Sequence, residues 1–140
     1  MSTYVDVVVC GAHMSGLPLN HQLTDLGAIL VARTVTAPEY RLFRIDAFNP
    51  PRPGLLRVAE GGSAIEVEVW RLPVAAYGPF VAGVPGPLGF GAVRLSNGSV
   101  EQGFLCEHVA TVDALDISAL GGWRAYLQHN SCDSRSGSTP

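Results

Sequence analysis

The stretch from Val5 to Asn20, VDVVVCGAHMSGLPLN, constrains this chain more than any other. Val5, Val7, Val8 and Val9 are β-branched, and such a run favours a buried strand. Gly11-Ala12-His13-Met14-Ser15-Gly16 follows, a loop of mostly small residues carrying an imidazole and a hydroxyl. Pro18 then suits the first turn of a helix, where its missing N–H costs nothing. Strand, tight loop and helix in this order direct backbone N–H groups and a helix N-terminus into the space above the strand. A carboxylate or similar small anion is the natural guest of such a loop. The same pattern also describes a plain structural turn whose glycines permit sharp dihedral angles. Function concentrates in loops at strand ends, which favours a site.

A chain of 140 residues, 47% hydrophobic and 15% charged, is enough for one domain with a sizeable core. Its net charge of −3 offers no basic patch for nucleic acid. Every basic residue is Arg and none is Lys, which excludes phosphate cradles that depend on a lysine. Cys10, Cys106 and Cys132 are odd in number and far apart, so neither a disulfide framework nor a zinc site is expected. Cys10 and Cys106 end apolar strands and read as buried thiols. His21, His108 and His129 show no ligand spacing, and no metal or cofactor is expected. No apolar run is long enough to span a membrane, and the N-terminus lacks the features of a signal peptide. These readings lead to the expectation of a cytoplasmic protein with no membrane or nucleic-acid partner.

Along the chain, Pro18 to Gly27 reads as a helix with Leu19, Leu23 and Leu26 on one face and Gly27 as its stop. Ala28 to Thr36, Tyr40 to Phe48 and Leu55 to Ala59 read as strands, and the prolines of Asn49 to Gly54 mark a loop. Ser63 to Leu72 alternates, with Ala64, Glu66, Glu68 and Trp70 on one face and Ile65, Val67 and Val69 on the other. Pro73 opens a short helix to Ala82. Gly83 to Gly91, GVPGPLGFG, reads as a loop because breakers crowd it. Asn97-Gly98 is the turn of a hairpin. Asp113 to His129 reads as a closing helix broken at Gly121-Gly122. The expected domain covers residues 1–129, with 130–140 a polar, disordered tail. Strands not evenly interleaved with helices disfavour a doubly wound sheet. The fold class expected is α+β, a small mixed β-barrel with two or three short helices.

The segments GAHMSGLPLNHQL, TAPEYRLF, PRPGLLRV, AIEVEVWRLP, VPGPLGFG, QGFLCE and GGWRAYL, in this order, resemble the C-terminal domain of allophanate hydrolase. The resemblance runs from about Val5 to Leu127. It implies a γ-glutamylcyclotransferase-like fold, in which a loop at the end of the first strand binds the substrate carboxylate through its amides. Gly11 to Gly16 occupies the equivalent place. Cyclotransferases also use a Glu near the position of Val84-Pro85, where this chain has no carboxylate. The Ser–Ser–Lys machinery of the amidase domain is absent too, since the chain has no Lys. The expectation is therefore a free-standing accessory domain, neither amidase nor cyclotransferase.

The resemblance implies a pocket for a small carboxylate of urea degradation. The substrate expected is N-carboxycarbamate, decarboxylated to carbamate next to a separate amidase. His13 is the expected catalytic residue, supplying a proton near neutral pH. Gly11, Ala12, Met14, Ser15 and Gly16 would hold the anion, and Asn20 would join them or brace the loop. Glu66 and Glu68 share a strand face that points either into the pocket or to water. Tyr40 and Trp70 read as core or pocket wall, and Arg41 and Arg124 could each neutralise a bound acid, surface or structural pairing being their default. The alternative is a non-catalytic assembly module that docks on an amidase or carboxylase through Leu88 and Phe90, a homodimer being a further possibility.

Overall fold

The computed structural model describes residues 3–138, and side chains as far as residue 130. Val7, Val8 and Val9, each no more than 1% exposed, explain why β1 (Tyr4–Val9) lies at the centre of the fold. A run of β-branched residues with no polar face is stable only where both faces are covered. β1 pairs antiparallel with β5 (Glu66–Pro73) and parallel with β7 (Val100–Cys106). β2 (Ile29–Val35) extends the sheet beyond β5, and β6 (Leu88–Arg94) beyond β7, giving the order β2-β5-β1-β7-β6. A second sheet has the order β4-β3-β8, from β4 (Arg52–Arg57), β3 (Tyr40–Ile45) and β8 (Leu115–Asp116).

The class is α+β, with mixed strand direction and three α-helices, α1 (His21–Thr24), α2 (Val74–Ala82) and α3 (Trp123–Ser138). The outer strands β2 and β6 meet at one end, through an isolated bridge between Thr36 and Leu95 and flanking bonds such as Ala37 N–H to Arg94 O at 2.9 Å. One bridge is not a ladder, so the five-stranded sheet is not closed into the expected barrel. The core fills with residues from both sheets, including Leu42, Leu55, Ile65, Val67 and Leu72, and with Trp123 and Tyr126 of α3.

Several local expectations change. The helix expected from Pro18 to Gly27 shrinks to His21–Thr24, flanked by turns, with Leu23 fully buried. Arg52, Pro53 and Gly54, read as loop, open β4 instead. Gly83 to Gly91 is not all loop, because Leu88–Arg94 pairs with β7 from Leu88 opposite Cys106 onward. Its glycines allow close packing: a Cβ on Gly91 would stand 2.8 Å from Leu105 Cδ1. Leu88 and Phe90 are half-buried in this strand, and Phe90 packs on the core, so they are not the exposed docking residues expected. Asp113 to His129 is split into β8, a 3-10 turn at Ser118–Leu120 and α3, with the break at Gly121 in the left-handed region, φ 85°. Of residues 131–138 only the helical backbone course is described, and 139–140 lie outside the described residues, as do the side chains of the expected tail. Among the described residues no helix is long and apolar enough to cross a membrane.

Where β1 and β7 run side by side, Val8 stands opposite Gly103, and a Cβ on that glycine would meet Val8 Cβ at 2.6 Å and Val8 O at 2.8 Å. Neither neighbour is the end of a flexible chain. Gly103→Ala should therefore destabilise the fold by about 1–3 kcal/mol, seen as a lower thermal midpoint. An unchanged melt would show that β1 and β7 do not pack this closely.

Candidate functional site

The loop after β1 is fixed before any side chain leaves it. Met14 N–H donates to Gly11 O at 3.0 Å, and Leu19 N–H to Ala12 O at 2.9 Å. Gly11 lies against Pro53, with 2.5 Å between a notional Cβ and Pro53 Cγ. Gly16 takes a φ of 78°. Met14 is fully buried and anchors the loop in the core. Asn20 Nδ2 donates to the His13 carbonyl at 2.8 Å and braces the turn. From this frame His13 and Ser15 point into different clefts.

On the Ser15 side the loop does bind a carboxylate through an amide, but the carboxylate belongs to the protein. Glu68 Oε1 accepts Ser15 N–H at 2.7 Å and the Trp70 indole N–H at 3.0 Å. Glu68 Oε2 accepts the Ser15 hydroxyl at 3.0 Å and Arg124 Nη2 at 2.9 Å. Arg33 Nε stands 3.5 Å from the same oxygen. Glu68 is 1% exposed, so the face of β5 that alternation left open points inward. Burial pushes its carboxyl pKa up, yet the Ser15 amide, the Trp70 indole, Arg124 and the Ser15 hydroxyl outweigh that and hold it below its usual value. Glu66 lines the same cleft with Arg33 and Arg124; its Oε1 is buried without a hydrogen-bond partner, 3.9 Å from Arg124 Nε.

On the other side His13 lines a cleft of about 410 Å³ with Gln22, Asp25, Arg52, Phe80, Phe104, Val84 and Pro85 among its walls. Its ring stacks on Phe104 at 4.9 Å and meets Phe80 edge-on at 5.5 Å. His13 Nε2 is 2.8 Å from Gln22 Oε1, which assigns the proton to Nε2. Burial lowers the imidazole pKa; the Gln22 bond opposes this, and the charges of Arg52 and His21 add to the lowering. The ring is thus neutral near pH 7. Every other arginine with a described side chain lies within 4.0 Å of a carboxylate. Arg52 has no such partner among the described residues, and its guanidinium rests 5.0 Å over the Phe48 ring.

The structure therefore divides the residues picked out by sequence. His13 belongs to one cleft, with Gly11 and Ala12 in a small adjoining cavity. Ser15, Gly16, Glu66 and Glu68 belong to the other. Tyr40 lines neither: it is fully buried, and its hydroxyl accepts the Arg94 N–H at 2.9 Å. Arg41 pairs with Asp116 on the surface at 2.6 Å. Arg52 and Gln22 fall inside segments that carry the family resemblance, PRPGLLRV and GAHMSGLPLNHQL, yet no local pattern marks them as site residues, Arg52 because three prolines disguise its strand.

A mixed α+β domain with a pocket on either side of the loop after its first strand is the class that these features define. Residues 5–128 match the family described as the allophanate hydrolase C-terminal domain, and the chain belongs to that family. It is 40% identical over 131 residues to the urea amidolyase of Saccharomyces cerevisiae, covering 91% of this chain but 7% of that protein. A solved uropathogenic E. coli-specific protein is 36% identical with a TM-score of 0.83, over 91% of this chain and 98% of that one. An AIG2-like protein from Mus musculus, 17% identical with a TM-score of 0.58 over 80% of this chain and 82% of that one, shares the fold alone. The chain spans about 7% of the length of the curated relatives it matches.

Glu68→Gln should cost about 3–5 kcal/mol at neutral pH, since it leaves Arg124 and the Ser15 amide without their anion. A carboxyl whose folded pKa is lowered contributes stability above its unfolded value of 4.5, lost as pH falls through the folded value. The melting difference between wild type and Glu68→Gln should therefore shrink in acid. A difference independent of pH down to strong acid would rule out an ionised Glu68.

Proposed function

We propose that the His13 cleft binds N-carboxycarbamate, or a small dicarboxylate like it, and decarboxylates it to carbamate. The observation that carries this reading is Arg52, without a carboxylate partner among the described residues, in the same cleft as a neutral imidazole. A guanidinium of this kind suits a carboxylate, which it can hold by two parallel hydrogen bonds. Held so, the substrate's second carboxylate turns out of the plane of its nitrogen, and the C–N bond to it loses resonance. As that bond breaks, the electron pair stays on nitrogen, carbon dioxide leaves, and a proton that His13 has first taken up from solvent completes the carbamate, leaving the ring neutral. Val84 and Pro85 line the cleft where a cyclotransferase would present its Glu, in agreement with a different reaction.

A second reading rests on a different surface. Ile29, Leu30 and Val31 of edge strand β2 are 60%, 37% and 43% exposed. Such a strand edge accepts another chain, and in the S. cerevisiae urea amidolyase the matching domain belongs to a far longer protein. An assembly module on an amidase would use this edge. Co-purification with an amidase that Leu30→Arg abolishes, together with a cleft inert to ligand, would support that role instead.

For the catalytic reading, malonate serves as a stable dicarboxylate mimic. Arg52→Gln should weaken its binding about 10–100-fold, the value of a charge-assisted pair. His13→Ala should lower carbon dioxide release, coupled to an added amidase, by roughly 10²–10⁴-fold. Because His13 is 8% exposed and packed between Phe80 and Phe104, this variant should also melt earlier, unlike a pocket-mouth residue. Titration and coupled assay together decide: malonate affinity and turnover unaffected by either change would sink the assignment.

A further inference from the structure

The groups that face His13 come from several elements, and few can respond to a ligand. Arg52 of β4 keeps its charge at any relevant pH. The segment around α1 brings Gln22, which is neutral, and Asp25 at the exposed rim, with His21 outside the lining of the cleft. The walls from α2 and β7 bring Phe80 and Phe104. Cys10 lines the adjoining cavity as an uncharged thiol, its pKa pushed up to about 12 by burial. Among the side chains that line the cleft, His13 is the one imidazole.

We propose that the cleft selects doubly charged carboxylates by taking up one proton at His13 as the ligand settles on Arg52. This rests on the reading of the cleft given above. A single carboxylate is balanced by Arg52 and leaves the imidazole neutral. A second carboxylate brings a charge that nothing in the empty cleft balances, beside a ring shielded by two phenyl groups. Low local polarity makes that charge costly unless the ring is protonated. The forces that keep the empty site's ring neutral, its burial and the neighbouring guanidinium, are those the second carboxylate offsets. The proton comes from solvent, enters a ring nitrogen, and remains there in a stable complex such as malonate. With N-carboxycarbamate it passes to the nitrogen as the C–N bond breaks, which itself returns the imidazole to its neutral form, and the next proton enters from solvent when another dianion binds.

The test compares malonate with acetate by calorimetry at near-neutral pH in buffers of different ionisation enthalpy, with the His13 ring followed by NMR. Malonate should take up close to one proton per molecule bound, and the ring signals should move to imidazolium positions. Its Kd should rise by up to about tenfold per pH unit above the free ring's pKa. Acetate should bind at least tenfold more weakly with no uptake. His13→Asn should bind malonate without proton uptake; if that variant fails to fold, the wild-type ring shifts carry the same information. Malonate binding with no uptake, or with a ring that stays neutral, overturns the inference and leaves the cleft reading standing. No malonate binding at millimolar concentration overturns both.

Discussion

The ionised carboxylate of Glu68, buried in the sheet, is the constraint on which the rest of this site depends. An unpaired charge there would cost several kcal/mol, so its partners must be in place whenever the protein is folded. Those partners come from four places: the loop after β1 through Ser15, strand β5 itself through Trp70, strand β2 through Arg33, and helix α3 through Arg124. Arg124 also donates to the Ser15 carbonyl at 2.6 Å, so the loop is gripped at both its amide and its carbonyl. One buried anion thereby ties the start of the chain to its last helix.

That grip has a consequence on the other side of the loop. Between Ser15 and His13 lies only Met14, which the core holds fully buried. With Ser15 fixed by Glu68 and the His13 carbonyl fixed by Asn20, the imidazole has little freedom left, and the Phe80 and Phe104 rings take the remainder. The two clefts are thus unequal in kind. In one, the arginines and carboxylates largely satisfy each other. In the other, a cation has no carboxylate beside it and a titratable ring is held ready. Ligand chemistry belongs where charge is unbalanced, which is why the His13 cleft and not the Ser15 cleft is the candidate pocket.

The sequence made much of this legible. The valine run located the central strand, the loop after it was recognised as the place of interest, and Asn97-Gly98 located the hairpin between β6 and β7. The failures share a cause, since each needed a neighbour distant in sequence. Gly89 and Gly91 look like loop residues until β7 supplies the hydrogen bonds of a strand. Arg52 looks like part of a proline loop until β3 pairs with it. Glu68 reads equally as a solvated or a buried residue, and only Ser15, Trp70 and Arg124 decide between them. The Ser15 amide meets an anion, but periodicity cannot reveal that this anion is part of the same chain.

Charge arithmetic narrows what the open cleft can accept. Empty, its walls carry Arg52 and the exposed Asp25 at the rim, with His13 neutral and Cys10 beyond it a protonated thiol. A neutral guest would leave Arg52 without a carboxylate. A cation would meet that same guanidinium without a buried anion to hold it, because Glu68 faces the opposite cleft. A monoanion satisfies Arg52 but makes no use of the imidazole. A small dianion engages the fixed charge with one end and calls up the second positive charge with the other. Only that guest leaves each polar group of the inner cleft with a partner, and it also presents a carboxylate beside a proton source, which is the arrangement that loss of carbon dioxide from a carboxylated nitrogen needs.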